Sequence, residues 1–118
     1  MAGFREGDIV LITHAPFSDQ TATKMRPALV ISADRFNQDR PDVICAAISS
    51  RLREGDPYRV DIEGGTPYFG ETGLHRSSTI KCWAMFAYQA DKIRRRLGRL
   101  PPPLMEDVKA VLREILGV

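Results

Sequence analysis

The chain has 118 residues, a formal net charge of +2 and a charged fraction of 27%. This length fits one domain, 1–118, which can bury a core without disulfides or metal ions. The small net charge permits an anionic partner but is below that of a strongly basic nucleic-acid binder. No apolar run approaches the ~20 residues that cross a membrane, and residues 1–10 lack a secretory signal pattern. We therefore expect a cytoplasmic protein with no membrane partner.

The first half of the chain contains three predicted strands. Residues 9–13 follow a Gly-Asp turn, and residues 27–32 begin with Pro27, which lacks an N–H and can start a strand. The third predicted strand, 43–50, is continuously apolar and is expected to be buried on both faces. Residues 14–25 and 33–42 are polar and are predicted to be loops, of which the first is long enough to suggest a functional role.

The second half contains two further strands and a helix. Residues 58–63 alternate apolar and charged side chains, which predicts a half-exposed strand, and residues 77–89 predict a long strand that is bent or broken in two. The glycine-rich stretch 64–76 is predicted to be a loop, and 91–100 is ambiguous, with a short helical turn as one interpretation. Apolar residues at helical spacing, between a Pro-Pro-Pro start and a glycine stop, predict an amphipathic helix over 103–116.

The predicted fold class is mostly β with a C-terminal α-helix. Five short antiparallel strands that follow one another in sequence favour a small barrel or a strongly curled sheet. The helix would cap that sheet.

Few residues suggest metal or nucleophile chemistry. His14 and His75 are the two histidines, and neither has a further ligand at metal-binding spacing. Cys45 and Cys82 lie in apolar segments, which favours buried, reduced and inert thiols over a disulfide or a Cys–His nucleophile pair. We expect no metal site and no cofactor.

Polar residues at strand ends remain as candidates. If the second and third strands pair in antiparallel fashion, Arg26 at the start of one meets Ser49 at the end of the other. A guanidinium beside a hydroxyl suits a phosphate group, because arginine forks onto two oxygens. The alternative is an arginine that caps a sheet edge and a serine that bonds its own backbone, and spacing alone favours that alternative.

Several blocks of sequence, taken in order, resemble one family. GDIVLI, PFSDQTATKMRPALVIS, DVICAAISS, GLHRSSTIKCW and the closing helix are similar to the PemK/MazF family, the ribonuclease toxins of bacterial toxin–antitoxin pairs. The resemblance implies an SH3-like small antiparallel β-barrel that acts as a homodimer. It also implies metal-independent cleavage of single-stranded RNA, usually mRNA at a short sequence, and neutralisation by a cognate antitoxin.

The resemblance also implies roles for particular residues. The arginine of the Arg-Pro pair is catalytic in the family, and here it is Arg26. Ser49 takes the place of a Thr or Ser at the end of the third strand, with Ser50 adjacent. Asp19, with Gln20 beside it, corresponds to an acidic or Gln residue in the loop before Arg-Pro.

One departure from the family pattern concerns two positions of the long strand. Lys81 and Trp83 stand where some members carry Arg and Asp. Lysine lacks the bidentate fork and tryptophan is neither acid nor base. Catalysis would then rest on Arg26 and Ser49, or be weak.

Other residues have two interpretations each. Lys24, Phe17 and Tyr68 are predicted RNA contacts, the two rings as base-stacking groups or as lids on the barrel. His14 is an accessory proton carrier or an ordinary surface histidine. Trp83 is predicted in the core or a dimer interface rather than in a base platform. The basic run 92–99 is foremost a solvated face, and otherwise an RNA or antitoxin contact.

The predicted reaction uses the 2′-hydroxyl of the RNA as nucleophile and leaves a 2′,3′-cyclic phosphate and a 5′-hydroxyl. The protein would orient the phosphate and stabilise its developing charge. A different class of function is a non-catalytic SH3-like barrel that binds a protein or nucleic acid, for example a toxin that poisons a topoisomerase. A third is an inactive dimer partner or regulator.

Overall fold

A computed structural model describes residues 3–13 and 24–118. Six strands form one sheet, and every neighbouring pair in it is antiparallel. The order across the sheet is β4-β5-β3-β2-β1-β6. The strands are β1 Asp8–Ile12, β2 Arg26–Val30, β3 Asp42–Ser49, β4 Arg59–Ile62, β5 Ser78–Gln89 and β6 Arg95–Arg99. The helices are α1 Asp34–Asp39, α2 Phe69–Thr72 and α3 Pro102–Leu116, with a 3₁₀ turn at Ala90–Lys92.

The sheet buries apolar side chains on both faces. One face, the helix-side cluster, includes Leu29, Ile62 and Ile80 and packs against α3 through Met105 and Val108. The other face carries the second cluster. Its buried members are Val10, Ile12, Ala28, Val30, Val43, Cys45, Phe86 and Ala90. No residue of β3 is exposed, which confirms its prediction as a strand covered on both faces.

The C-terminal helix follows its sequence signals closely. Two prolines occupy its first turn, where the missing N–H groups cost nothing. Gly117 ends it with φ 74°, the left-handed conformation that glycine adopts without penalty. The prediction of a helix over 103–116 is confirmed with one residue added at its start.

Two segments differ from their predictions. Residues 33–42, predicted as loop, contain α1, because the buried Asn37 side chain donates to the carbonyl oxygen of Ser32 at 3.1 Å and accepts from the Ser32 hydroxyl. Residues 95–99, left ambiguous, form β6, so the sheet has six strands rather than five. The glycine-rich stretch is a loop except for the single turn of α2.

The long strand β5 is continuous but irregular. Its register with β3 shifts between Ala46, which faces Met85, and Ala47, which faces Lys81. This bulge reverses the alternation, since Ile80 and Cys82 lie in the helix-side cluster whereas Phe86 lies in the second. The predicted bend is thus a bulge within one strand. In the described part of the chain, no helix is long and apolar enough to span a bilayer.

Candidate active site

Arg26 and Ser49 come together by strand register. Ala28 of β2 faces Ala47 of β3, and continuing this antiparallel register by one pleat, two residues along each strand, places Arg26 opposite Ser49. Directly opposed residues point to the same face with Cα atoms about 4.5–5.5 Å apart. That face is the one that carries the second cluster, because Ala28 and Val30 belong to it. The predicted antiparallel pairing of these two strands is therefore observed.

The row continues across the sheet. Thr79 of β5 faces Ser49, and Asp61 of β4 faces Thr79, while Ile12 of β1 faces Arg26 on the other side. We call Arg26, Ser49, Thr79 and Asp61 the polar row. Arg26 and Ser49 are half-buried, Thr79 is 0% exposed and Asp61 is exposed. The row therefore runs from the buried middle of the sheet to solvent at the β4 edge.

Two atoms of the polar row lack partners. Arg26 Nε and Thr79 Oγ1 are buried and have no hydrogen-bond partner among the described residues. Ser49 Oγ accepts the N–H of Arg51 at 3.0 Å, which is a local turn bond at the strand end. A donor on Arg26 that no described residue accepts is open to an anionic ligand, whereas an arginine that caps the sheet edge would have its donors occupied.

A second set of charged groups lies one pleat away on the same face. Lys81 faces both Ala47 and Arg59, so it is adjacent to the polar row. The Lys81 Nζ lies 5.8 Å and the Arg59 Cζ 5.3 Å from the centroid of the Trp83 ring, within the range of cation–π contacts. Trp83 is 41% exposed. Of its two predicted places, the core is therefore wrong and a dimer interface stays a prediction. We call Arg59, Lys81 and Trp83 the cationic edge.

The guanidinium group of Arg59 is held by hydrogen bonds within the protein. Its Nε donates to Asp56 Oδ2 at 3.0 Å and its Nη1 donates to the Arg51 carbonyl at 3.2 Å. The N–H of Tyr58, and then the Arg59 guanidinium, lower the pKa of Asp56. Lys81 has no ion pair among the described residues. Of the two cations, Lys81 is the one available to an anionic ligand.

The other predicted contacts lie apart from the polar row. Tyr68 packs against the helix-side cluster, on the opposite face. Lys24 is exposed just before β2, and Ser50 is exposed just after β3. His14, Phe17, Asp19 and Gln20 lie outside the described residues. Their predicted roles stay predictions.

The basic run divides into two groups. Arg96 and Arg99 pair with the buried Asp8 at 3.5 and 2.6 Å. Lys92, Arg94 and Arg95 are exposed. Two of its arginines therefore join β6 to β1, while Arg96 is exposed like Lys92, Arg94 and Arg95 and fits the prediction of a solvated face with them.

Metal and thiol chemistry find no support in the described residues. No group of three or more His, Cys, Asp or Glu side chains is placed to hold a metal ion in that part of the chain. Burial raises the pKa of Cys45 to about 12 and that of Cys82 to about 11. Both thiols are free and buried, as predicted, and remain protonated at neutral pH.

Sequence reasoning missed Thr79, Arg59 and Asp61. A signal was present, because in SSTIK and YRVDIE the alternate residues share a face. Which face points to Arg26 depends on strand order and register. Neither can be deduced from alternation alone.

Known proteins share both sequence and fold with this chain. A family model described as PemK-like, MazF-like toxin of type II toxin–antitoxin system matches residues 5–116. Endoribonuclease MazF2 of Mycobacterium bovis is 30% identical over 105 residues, which cover 87% of this chain and 88% of that protein.

Solved structures agree with this. An endoribonuclease in complex with its cognate antitoxin, from a mycobacterial species, superimposes with a TM-score of 0.77 at 16% identity, covering 98% of this chain and 97% of that one. A MazE–MazF structure from Deinococcus radiodurans gives a TM-score of 0.74 at 20% identity, covering 98% and 96%. At these identities the structural likeness shows a shared fold.

Proposed function

The chain belongs to the PemK-like, MazF-like toxins of type II toxin–antitoxin systems, and from that premise we propose that it is a metal-independent endoribonuclease. Its substrate is single-stranded RNA, cut at a short sequence to leave a 2′,3′-cyclic phosphate and a 5′-hydroxyl. The relative named endoribonuclease MazF2 supports the activity. The observation that carries the proposal is the buried Nε of Arg26, which has no hydrogen-bond partner among the described residues, on the face where Ser49 ends β3.

The chemistry requires little from the protein beyond placement and charge. The 2′-oxygen attacks the neighbouring phosphorus, its proton passes to a base, and the bond to the 5′-oxygen breaks as that oxygen takes a proton. Negative charge grows on the non-bridging oxygens during this step. Arg26 donates to those oxygens and the Ser49 hydroxyl adds a second donor, which stabilises the transition state more than the substrate. Arg26 is a donor and not the base, because a guanidinium does not deprotonate at neutral pH.

Backbone rigidity explains why arginine precedes proline here. Pro27 fixes its own φ and restricts the conformation of Arg26 before it. Ala28, Leu29 and Val30 behind it are all 0% exposed, so the strand is held by the core. A donor mounted in this way loses little conformational entropy when it binds phosphate.

Partners follow from the same proposal. We propose a homodimer with the SH3-like barrel of the family, neutralised in the cytoplasm by an acidic segment of a cognate antitoxin. The structure of a mycobacterial endoribonuclease with its antitoxin supports this. Co-purification with the product of an adjacent small reading frame, and sedimentation of the free protein, test the two partners separately.

The test of the activity compares Arg26 with a matched arginine. Purified wild type, Arg26→Ala, Arg26→Lys and Arg35→Ala are incubated with a long single-stranded RNA in EDTA. Arg35 is the control because its side chain is 89% exposed and lies on α1. Loss of one charge-stabilising donor should slow cleavage on the order of 100-fold. Arg26→Lys should recover part of this, while Arg35→Ala cleaves like wild type.

Two results would contradict the proposal. Cleavage that EDTA abolishes would exclude the metal-independent route. No cleavage of several varied RNAs by folded wild type would favour the non-catalytic barrel, in which Lys81 and Trp83 serve binding alone. DNA of the same sequence should remain intact in every case, because it lacks the 2′-hydroxyl.

A further inference from the structure

Thr79 lies beside Ser49 in the polar row and has no assigned role. It is opposite Ser49 across the β3–β5 pairing and is 0% exposed. Opposed side chains on one face have Cβ atoms about 4.5–5.5 Å apart. The two side chains are therefore neighbours on the same face of the sheet.

No described residue bonds the Thr79 hydroxyl. Its Oγ1 has no hydrogen-bond partner among the described residues, and Arg26 Nε is the other buried side-chain atom in this condition. Native proteins rarely leave buried polar atoms unpaired, since each one destabilises the fold. Valine has nearly the same shape as threonine and is likewise enriched in strands, so it removes the hydroxyl with little change in side-chain size.

Ser49 has the capacity to take this bond. A hydroxyl donates once and accepts twice. In the free protein Ser49 Oγ accepts the exposed N–H of Arg51, which can bond water if Ser49 turns. Serine is unbranched and Ser49 is half-buried, whereas the buried Thr79 is stiff at χ1. Ser49 is thus the residue that can turn toward its neighbour.

We propose that Thr79 is a positioning residue for Ser49. When a phosphate of the RNA enters the polar row, the Thr79 hydroxyl donates to Ser49 Oγ, and the Ser49 hydroxyl donates to a non-bridging oxygen. The chain from Thr79 through Ser49 to the phosphate is cooperative, because each bond polarises the next. Thr79 itself does not touch the RNA, in keeping with its complete burial. This inference rests on the proposed ribonuclease function.

The lack of a hydrogen bond to the buried Thr79 hydroxyl and its proposed role toward the substrate have the same cause. The unpaired hydroxyl destabilises the free protein, and the bond forms only with substrate in place. Removing the hydroxyl without changing shape should therefore leave the fold as stable or more stable, and make the enzyme slower. A merely structural threonine predicts the opposite pair of effects.

The experiment uses Thr79→Val, Thr79→Ser, Ser49→Ala and the double variant Ser49→Ala/Thr79→Val. A transcript that the wild type cleaves supplies a short oligonucleotide for steady-state kinetics. Thr79→Val should lower kcat about three- to tenfold, the value of one hydrogen bond, with KM within about twofold of wild type. Thr79→Ser should keep most of the activity. In the Ser49→Ala background, Thr79→Val should have no further effect.

Each outcome decides a different question. Wild-type cleavage with an equally active Thr79→Val variant overturns this inference and leaves the proposed function intact. An equal loss from Thr79→Val in the presence and absence of the Ser49 hydroxyl also overturns it, as does a fall in Tm. A folded wild type that cleaves no RNA overturns the proposed function and this inference together.

Discussion

The ion pair between Asp8 and Arg99 should determine whether β6 stays joined to β1. Asp8 is 1% exposed, and its Oδ1 lies 2.6 Å from Arg99 Nη1 and 3.5 Å from Arg96 Nη1. Its Oδ2 accepts the N–H of Arg5 at 2.8 Å. The Asp8 carboxylate therefore accepts a backbone N–H in the turn before β1 and pairs with two arginine side chains. Replacing it with the neutral, nearly isosteric Asn removes the charge and places an amide among these donors.

The magnitude follows from how far each partner is buried. Breaking a fully buried ion pair costs about 3–5 kcal/mol, mostly because the remaining charge stays buried. The side chains of Arg99 and Arg96 are 42% and 52% exposed, so both can regain water. We expect Asp8→Asn to lower the free energy of unfolding by about 2–3 kcal/mol. Tm should fall by roughly 8–12 °C for a chain of this size.

The two arginines provide the internal control. Arg99→Ala should cost about 2–3 kcal/mol as well, because the Asp8 carboxylate stays buried without its 2.6 Å partner. Arg96→Ala should cost less than about 1 kcal/mol, since its contact is longer and more exposed. Denaturant unfolding at one fixed protein concentration measures all three variants, so that any dimerisation contributes equally. The reasoning is refuted if Asp8→Asn lies within about 0.5 kcal/mol of wild type. It is refuted as well if the two arginine variants are equally destabilised.

Three further predictions concern thiols, backbone contact and the single tryptophan. At pH 8 neither Cys45 nor Cys82 should react with a thiol reagent in the native protein, because burial raises their pKa to about 12 and about 11 and the thiolate forms only above those values. Both should react fully in denaturant, and fast native labelling would contradict this. Gly98→Ala should prevent folding, because the added Cβ would lie 2.2 Å from the Glu71 carbonyl oxygen. The control Gly70→Ala should fold normally, because a Cβ there meets nothing within 4 Å. Circular dichroism and soluble yield measure both variants. Trp83 fluorescence should be quenched on titration with an uncleavable 2′-O-methyl RNA, because the ring is 41% exposed beside Lys81. An unchanged emission spectrum at saturation would show that the RNA binds away from Trp83.

The sequence predicts an element correctly where its local pattern agrees with the contacts that the element makes in the folded protein. The alternation in residues 58–63 predicts β4, and the helical spacing after the prolines predicts α3. The segments α1 and β6 were not predictable, since both depend on distant partners. Asn37 of α1 contacts the carbonyl oxygen of Phe4, and β6 pairs with a strand about ninety residues earlier through Asp8. Such contacts have no periodic signature in the chain.

The candidate site was predictable in part for the same reason. To predict that Arg26 lies near Ser49, it is enough to assume that consecutive strands pair in antiparallel fashion, which is the common arrangement. The place of Thr79 and Lys81 needs the order of three strands and the position of a bulge. A shift of one residue would turn both side chains to the helix side. The sequence therefore predicts the first pair but not the row around it.

The charges on this face bear on the expected departure at Lys81, which by resemblance stands where some members of the family carry arginine. If two guanidinium groups were to bind the same phosphate, neither could be engaged in hydrogen bonds with other groups of the protein. Arg59 is engaged in this way, because Asp56 and the Arg51 carbonyl hold it against Trp83. Arg26 Nε has no hydrogen-bond partner among the described residues, and in the proposed enzyme Arg26 supplies from β2 the fork that phosphate geometry requires. Lys81 then needs to contribute only a positive charge one pleat away. In the proposed enzyme Arg26 supplies the fork, and Lys81 adds positive charge without a second fork.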